Sequence, residues 1–84
     1  MSKTIFDLLG WLGAAAYLIA YALVSMKKLA GDSPMFQGLN LLGGVTLVVN
    51  SAYYRVWPSV AVNAAWAVIA VVVLVRKGIL NAKV

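Results

Sequence analysis

The run Ser59–Val75, "SVAVNAAWAVIAVVVLV", is 17 residues long and contains no charge. Its polar side chains are Ser59, Asn63 and Trp66, all in its first ten positions. A stretch of that length and apolarity reads as a helix able to cross a lipid bilayer, because about 1.5 Å of rise per residue carries it through roughly 25 Å of hydrocarbon. The reading raises a difficulty at Asn63, since an unpaired amide in hydrocarbon costs several kcal/mol. At 100° per residue, Ser59, Asn63, Trp66 and Ala70 share one face, while Ala61, Ala64, Ala65, Val68, Val72 and Val75 look the other way. Asn63 therefore belongs to a face turned toward protein or water, and the opposite face is suited to lipid.

The remaining chain repeats the pattern. Of 84 residues, 64% are hydrophobic, and the nine charges fall at Lys3, Asp7, Lys27, Lys28, Asp32, Arg55, Arg76, Lys77 and Lys83. The mean hydropathy of +0.96 and the long uncharged runs between clusters are those of a membrane protein. Two further spans are predicted, over about 8–26 and 35–54, giving an all-α integral membrane domain of three helices covering 1–84. The net charge of +5 sits beside apolar segments, and no basic groove with interleaved aromatics is present, so nucleic acid is not an expected partner. The basic residues read as headgroup anchors.

Short linkers separate the spans. "KKLAGDSP" (27–34) offers Gly31 to end one helix, Asp32 or Ser33 to cap the next, and Pro34 for its first turn. "RVWP" (55–58) restarts the chain with Pro58. Lys3 and Arg55 lie on one side, whereas Lys27, Lys28, Arg76, Lys77 and Lys83 lie on the other. The positive-inside rule then places the N-terminus outside and the C-terminus in the cytoplasm, as a multi-pass membrane protein. Residues 20–22, "AYA", mimic a signal-peptide cleavage site, but the Lys27-Lys28 pair after the span outweighs the single Lys3 before it.

The second span carries two polar rows, Gln37, Asn40, Gly44 and Ser51 on one side, and Gly43, Thr46, Asn50 and Tyr53 on the other. A helix wetted on two sides is expected to touch protein on both. Asn50 and Asn63 lie at matched depth across one hairpin and are expected to bond each other. Gly10, Gly13, Tyr17 and Ala20 give the first helix a small-residue face for close approach. Gly10, Gly13, Gly43, Gly44 and Asn40 are thus expected at helix contacts. Asn50, Asn63 and Trp66 form the alternative set, lining a solute path. So many rows on three helices favour self-association or a larger host complex.

Catalytic chemistry has little to work with. The chain has no cysteine, histidine or glutamate, and its two aspartates are predicted at opposite membrane faces. A nucleophile beside a base, a metal site and heme ligation in their usual forms are therefore not expected. No cofactor is expected and the protein is not expected to be an enzyme.

The run "DSPMFQGLNLLGGVTLVVNSAYYRVWPSVAVNAAWAVIAVVVLVRK" (32–77) resembles a group of uncharacterised small bacterial inner-membrane proteins. Its layout is similar to that of SemiSWEET half-transporters: three helices, N-terminus outside, and Pro58 shortly before Asn63 in the last helix. The resemblance implies a dimer that moves a small neutral polar solute by alternating access, with Asn63 at the solute site. The chain departs from that family in showing Ala20-Tyr21 near the place of a Pro-Gln motif, and Val48 at the place of a tryptophan. Two functions are thus expected from different classes: an accessory or scaffold subunit, favoured by the small and polar helix faces, and a dimeric half-transporter.

Overall fold

A computed structural model describes residues 2–83. Among the described residues the fold is all-helical, with three helices: α1 (Ser2–Ser25), α2 (Pro34–Tyr53) and α3 (Trp57–Lys83). The bundle is 47 Å long and 25 by 22 Å across. Helices and expected spans agree in number and overlap one to one, but not at every end. α1 begins six residues before Leu8, and α3 continues past Val75 through Arg76 and Lys77. Charge limits how far a helix lies in lipid and has no power to end its hydrogen-bond ladder. The side chain of Lys83, counted above in the orientation, lies outside the described residues.

The α1 stop differs from the expected one. Gly31 does not end the helix. Lys27 takes the left-handed position, with φ at 60°, and the N–H groups of Lys27 and Lys28 donate to the Val24 and Leu23 carbonyls at 3.0 and 2.8 Å. α2 closes in the same way: Arg55 has φ at 60°, Arg55 N–H donates to Ala52 at 3.1 Å and Val56 N–H to Ser51 at 2.9 Å. Both are Schellman closures with a cation where glycine is commoner. Positive charge beside the carbonyl end of a helix offsets part of the backbone strain. At the start of α2 the cap is Ser33, whose Oγ accepts from Phe36 N–H at 3.1 Å, while Asp32 pairs with Lys77 at 3.2 Å.

α2 is the middle layer. It packs on α1 along one side and on α3 along another, and among the described residues α1 and α3 make no backbone approach within 8 Å. The buried apolar residues are alanines, Ala16, Ala20 and Ala70, and with them Gln37, Thr46, Ser51 and Asn63 are buried. Bulk lies outside: Trp11, Leu18, Tyr21, Val62 and Val68 are each more than half exposed. Small and polar inside with large and apolar outside is the reverse of the core of a water-soluble domain. α1 and α3 are long and apolar enough to cross a membrane, and only 17% and 11% of their most apolar windows are buried, unlike core helices of a soluble domain. α2 does not reach that apolarity, because it carries Gln37, Asn40, Thr46, Asn50 and Ser51.

Candidate functional site

The neighbouring glycines of α2 set the geometry. A Cβ on Gly43 would meet the Tyr17 ring at 2.6 Å and the Gly13 carbonyl at 3.2 Å. One on Gly44 would meet the Ala67 methyl and the Asn63 carbonyl, each at 3.0 Å. Successive residues on a helix point 100° apart. Gly43 thus admits α1 and Gly44 admits α3, and the two flanking helices open as a V with α2 at its base. Gly13 lies against Thr46, and Gly10 makes room for the Asn50 amide, whose Nδ2 would lie 2.5 Å from a Cβ there.

The two polar rows of α2 divide between these neighbours. On the α1 side, Asn50 Nδ2 donates to the Phe6 carbonyl at 2.8 Å. On the α3 side, the Ser51 and Ser59 hydroxyls are 2.7 Å apart, and Asn63 Nδ2 donates to the Ser59 carbonyl and Oγ at 2.9 and 3.1 Å. Asn50 and Asn63 do not bond each other. Matched depth was insufficient, because Asn50 shares its row with Gly43 and Thr46 and is turned to α1, while Asn63 faces Gly44 from α3.

Tyr17 closes the V at mid-height. Its ring lies on Gly43, and its hydroxyl donates to Asn63 Oδ1 at 2.7 Å, joining α1 to α3. Sequence reasoning placed Tyr17 on the α1 contact face but did not give its hydroxyl a role. The signal was available: a tyrosine hydroxyl deep in an apolar helix needs a partner.

Beneath the bridge lies a cleft of about 410 Å³, lined by Tyr17 and Tyr21 from α1, Phe36, Gln37 and Asn40 from α2, and Trp66 and Ile69 from α3. Trp66 remains 50% exposed, so its ring forms a wall and fills no core. Gln37 Nε2 donates to the Gly31 carbonyl at 2.8 Å. Asn40 stands on the floor of the cleft, half-buried, and its side-chain amide makes no hydrogen bond to the described residues. Above the bridge a second hollow of about 300 Å³ lies between α1 and α2, lined by Asp7, Gly10, Trp11, Ala14, Leu47 and Asn50. Its α1 residues fall within about 120° of Tyr17 and Tyr21, hence on the same side of that helix. Of the three residues expected along a solute path, Trp66 therefore lines the lower cleft, Asn50 the upper hollow, and Asn63 the bridge between them.

The upper end is further closed by Phe6 stacked on Tyr53, with ring centroids 4.1 Å apart, and by a hydrogen bond from the Tyr54 hydroxyl to Asp7, which also pairs with Lys3 at 3.4 Å. Both aspartates are thus held in surface pairs. Among the described residues no three potential metal-ligating side chains of the His, Cys, Asp and Glu types come together.

A family model of uncharacterised proteins matches residues 6–81, nearly the whole bundle. The chain belongs to that family. The matched range takes in both glycine contacts, the Tyr17–Asn63 bridge and every residue of the cleft. No curated protein and no solved structure matches the chain.

Proposed function

We propose that this family member is a small integral membrane interaction protein, an accessory or scaffold subunit that works by packing against a second copy of itself. Its three helices span a bacterial inner membrane with the N-terminus outside and the C-terminus cytoplasmic. The apolar exterior supports insertion, and so does the 47 Å length of the bundle, close to the roughly 40–45 Å of a bilayer with its headgroups. α2 tolerates most of its polar residues because α1 and α3 shield them. Lys27, Lys28, Arg76 and Lys77 gather at the end assigned to the cytoplasm, where positive flanks are retained.

The observation that carries the interaction is Asn40. Every other asparagine with a described side chain has found a partner inside the chain, whereas the Asn40 amide faces an open apolar cleft. In lipid that amide needs a cover, and α1 and α3 leave the cover to something outside the chain. A second copy related by a two-fold axis along the membrane normal lays cleft against cleft and shields both amides at once, as an isologous pair does. The contact glycines are not the partner surface, because Gly10, Gly13, Gly43 and Gly44 are consumed within the bundle. Mass measurement of the protein purified in mild detergent is expected to give twice the chain mass of 8.9 kDa after subtraction of detergent. A monomer alone contradicts the reading, and a defined larger complex replaces the second copy by another partner.

A second reading, the SemiSWEET-like half-transporter, is favoured by one observation: the Tyr17–Asn63 bond separates a lower cleft from an upper hollow. Two copies paired on this face enclose both. Saturable flux of a neutral solute into reconstituted vesicles, abolished by Asn63→Ala with the dimer intact, establishes this reading over the first.

A further inference from the structure

We infer that the lower cleft holds an anionic phospholipid of the cytoplasmic leaflet, with an acyl chain among the rings of Tyr21, Phe36 and Trp66 and its phosphate among the exposed cations of that end, Lys27, Lys28 and Arg76. The site rests on the orientation proposed above, and its effect on the dimer rests on the self-pairing. It begins from the shape of the cleft. α1 and α3 do not touch beside it, so it opens sideways toward lipid, and its walls are almost wholly aromatic and aliphatic.

Depth makes the match specific. Gln37 and Asn40 lie three and six residues into α2, about 5 and 9 Å below its start at 1.5 Å per residue. With α2 spanning the roughly 30 Å hydrocarbon layer, that is the depth of an acyl chain whose headgroup sits at the helix start. Ile69 and Arg76 are seven residues apart and so share a helix face, which carries the cleft wall about 10 Å down to a cation.

Charge decides between a lipid and a bare protein contact. Of the cations with described side chains at this end, Lys77 is engaged by Asp32, while Lys27, Lys28 and Arg76 are exposed and make no ion pair to the described residues. A second copy laid against the cleft brings the same three cations alongside, and like charges at close range oppose the pairing. An anionic headgroup between them removes that repulsion, while a neutral solute leaves it in place. Basic pockets between spanning helices on the cytoplasmic side bind anionic headgroups on this principle.

The test is native mass spectrometry of the full chain, delipidated in detergent and then supplied with phosphatidylglycerol or phosphatidylcholine. Phosphatidylglycerol is expected to bind at one per chain and to raise the dimer fraction, and phosphatidylcholine to do neither. Lys28→Gln and Arg76→Gln are exposed changes that leave the fold intact. Each is expected to weaken phosphatidylglycerol retention roughly fivefold, at about 1 kcal/mol per cation. Lys3→Gln, at the other end, is expected to change nothing. Trp66→Ala should lower retention, with Trp66→Phe restoring it if the ring acts as a wall. Equal retention of the two lipids, or an undiminished preference in the Lys28 and Arg76 variants, overturns the inference. A dimer indifferent to phosphatidylglycerol also overturns it and leaves the pairing standing. A lipid-loaded protein that stays monomeric upholds the lipid site and overturns the pairing.

Discussion

The two ends of the V between α1 and α3 are furnished alike and finished differently. Each has aromatic rings from two or more helices and an asparagine from α2. At the upper end the rings meet: Phe6 stacks on Tyr53, Tyr54 reaches Asp7, and the Asn50 amide is taken by the Phe6 carbonyl. At the lower end Tyr21, Phe36 and Trp66 stand apart around the cleft, and Asn40 has no partner among the described residues. The difference comes from spacing along α2. Asn50 is seven residues beyond Gly43, on the row where α1 approaches closely. Asn40 lies on the α3 row, at the edge turned toward Gly43, where neither flanking helix covers it. One amide is structural because a helix covers it, and the other is available because none does.

The largest expected effect tests whether close approach creates the V. Gly13→Ala puts a methyl against Thr46, Leu47 and the Gly43 carbonyl, which is backbone and cannot swing aside. It should cost about 1–3 kcal/mol, the scale of overpacking, in reversible unfolding from mixed micelles. Gly38→Ala adds the same methyl where nothing lies within 4 Å, and should be neutral or stabilising by up to about 1 kcal/mol. Similar losses at the two sites would mean that the glycines do not define the helix spacing.

Next in size are the amides. Asn50→Leu and Asn63→Leu should each destabilise by roughly 1 kcal/mol, within the range of interhelical polar bonds in lipid. They should be additive, because they share no partner: Asn50 bonds Phe6, whereas Asn63 bonds Tyr17 and Ser59. Tyr17→Phe combined with Asn63→Leu should be less than additive, because those two share one bond. Asn40→Leu breaks no bond to the described residues, so monomer stability should move by less than about 0.5 kcal/mol, as for positions without a structural partner. A full loss at Asn40 would erase the contrast between the two ends.

The smallest effect concerns the left-handed caps, one at each end. Lys27→Gly and Arg55→Gly should each gain about 0.5 kcal/mol, the relief of αL strain less the lost attraction of a cation to the helix end. Equal gains mean that the two ends differ in the V and not in their turns.

Much of this architecture is legible in the residues. Periodicity separated the rows of α2, and those rows do face two neighbours. Small residues marked the contacts at Gly13, Gly43 and Gly44, and the Ser33-Pro34 pair marked the start of α2. The partner of Asn50 was not legible, because residues at equal depth on adjacent helices still point in directions fixed by the position of the third helix. The stop at Lys27 was hidden for a different reason: composition favoured Gly31, whereas backbone closure onto Leu23 and Val24 chose a residue with no turn signature. The cleft itself was hidden too. Its rings lie on three helices at unrelated sequence positions, and only the V assembles them.

The central claim is that the open face of the V is where a second copy packs, and the absence of native cysteine makes it directly measurable. Single cysteines at Ile69, on the cleft wall, and at Val49, on the outward side of α2, should be compared by mild oxidation in native membranes. The account predicts a disulfide-linked dimer with Ile69→Cys and almost none with Val49→Cys. A dimer that forms as readily or better through Val49→Cys, with Ile69→Cys remaining monomeric, contradicts it.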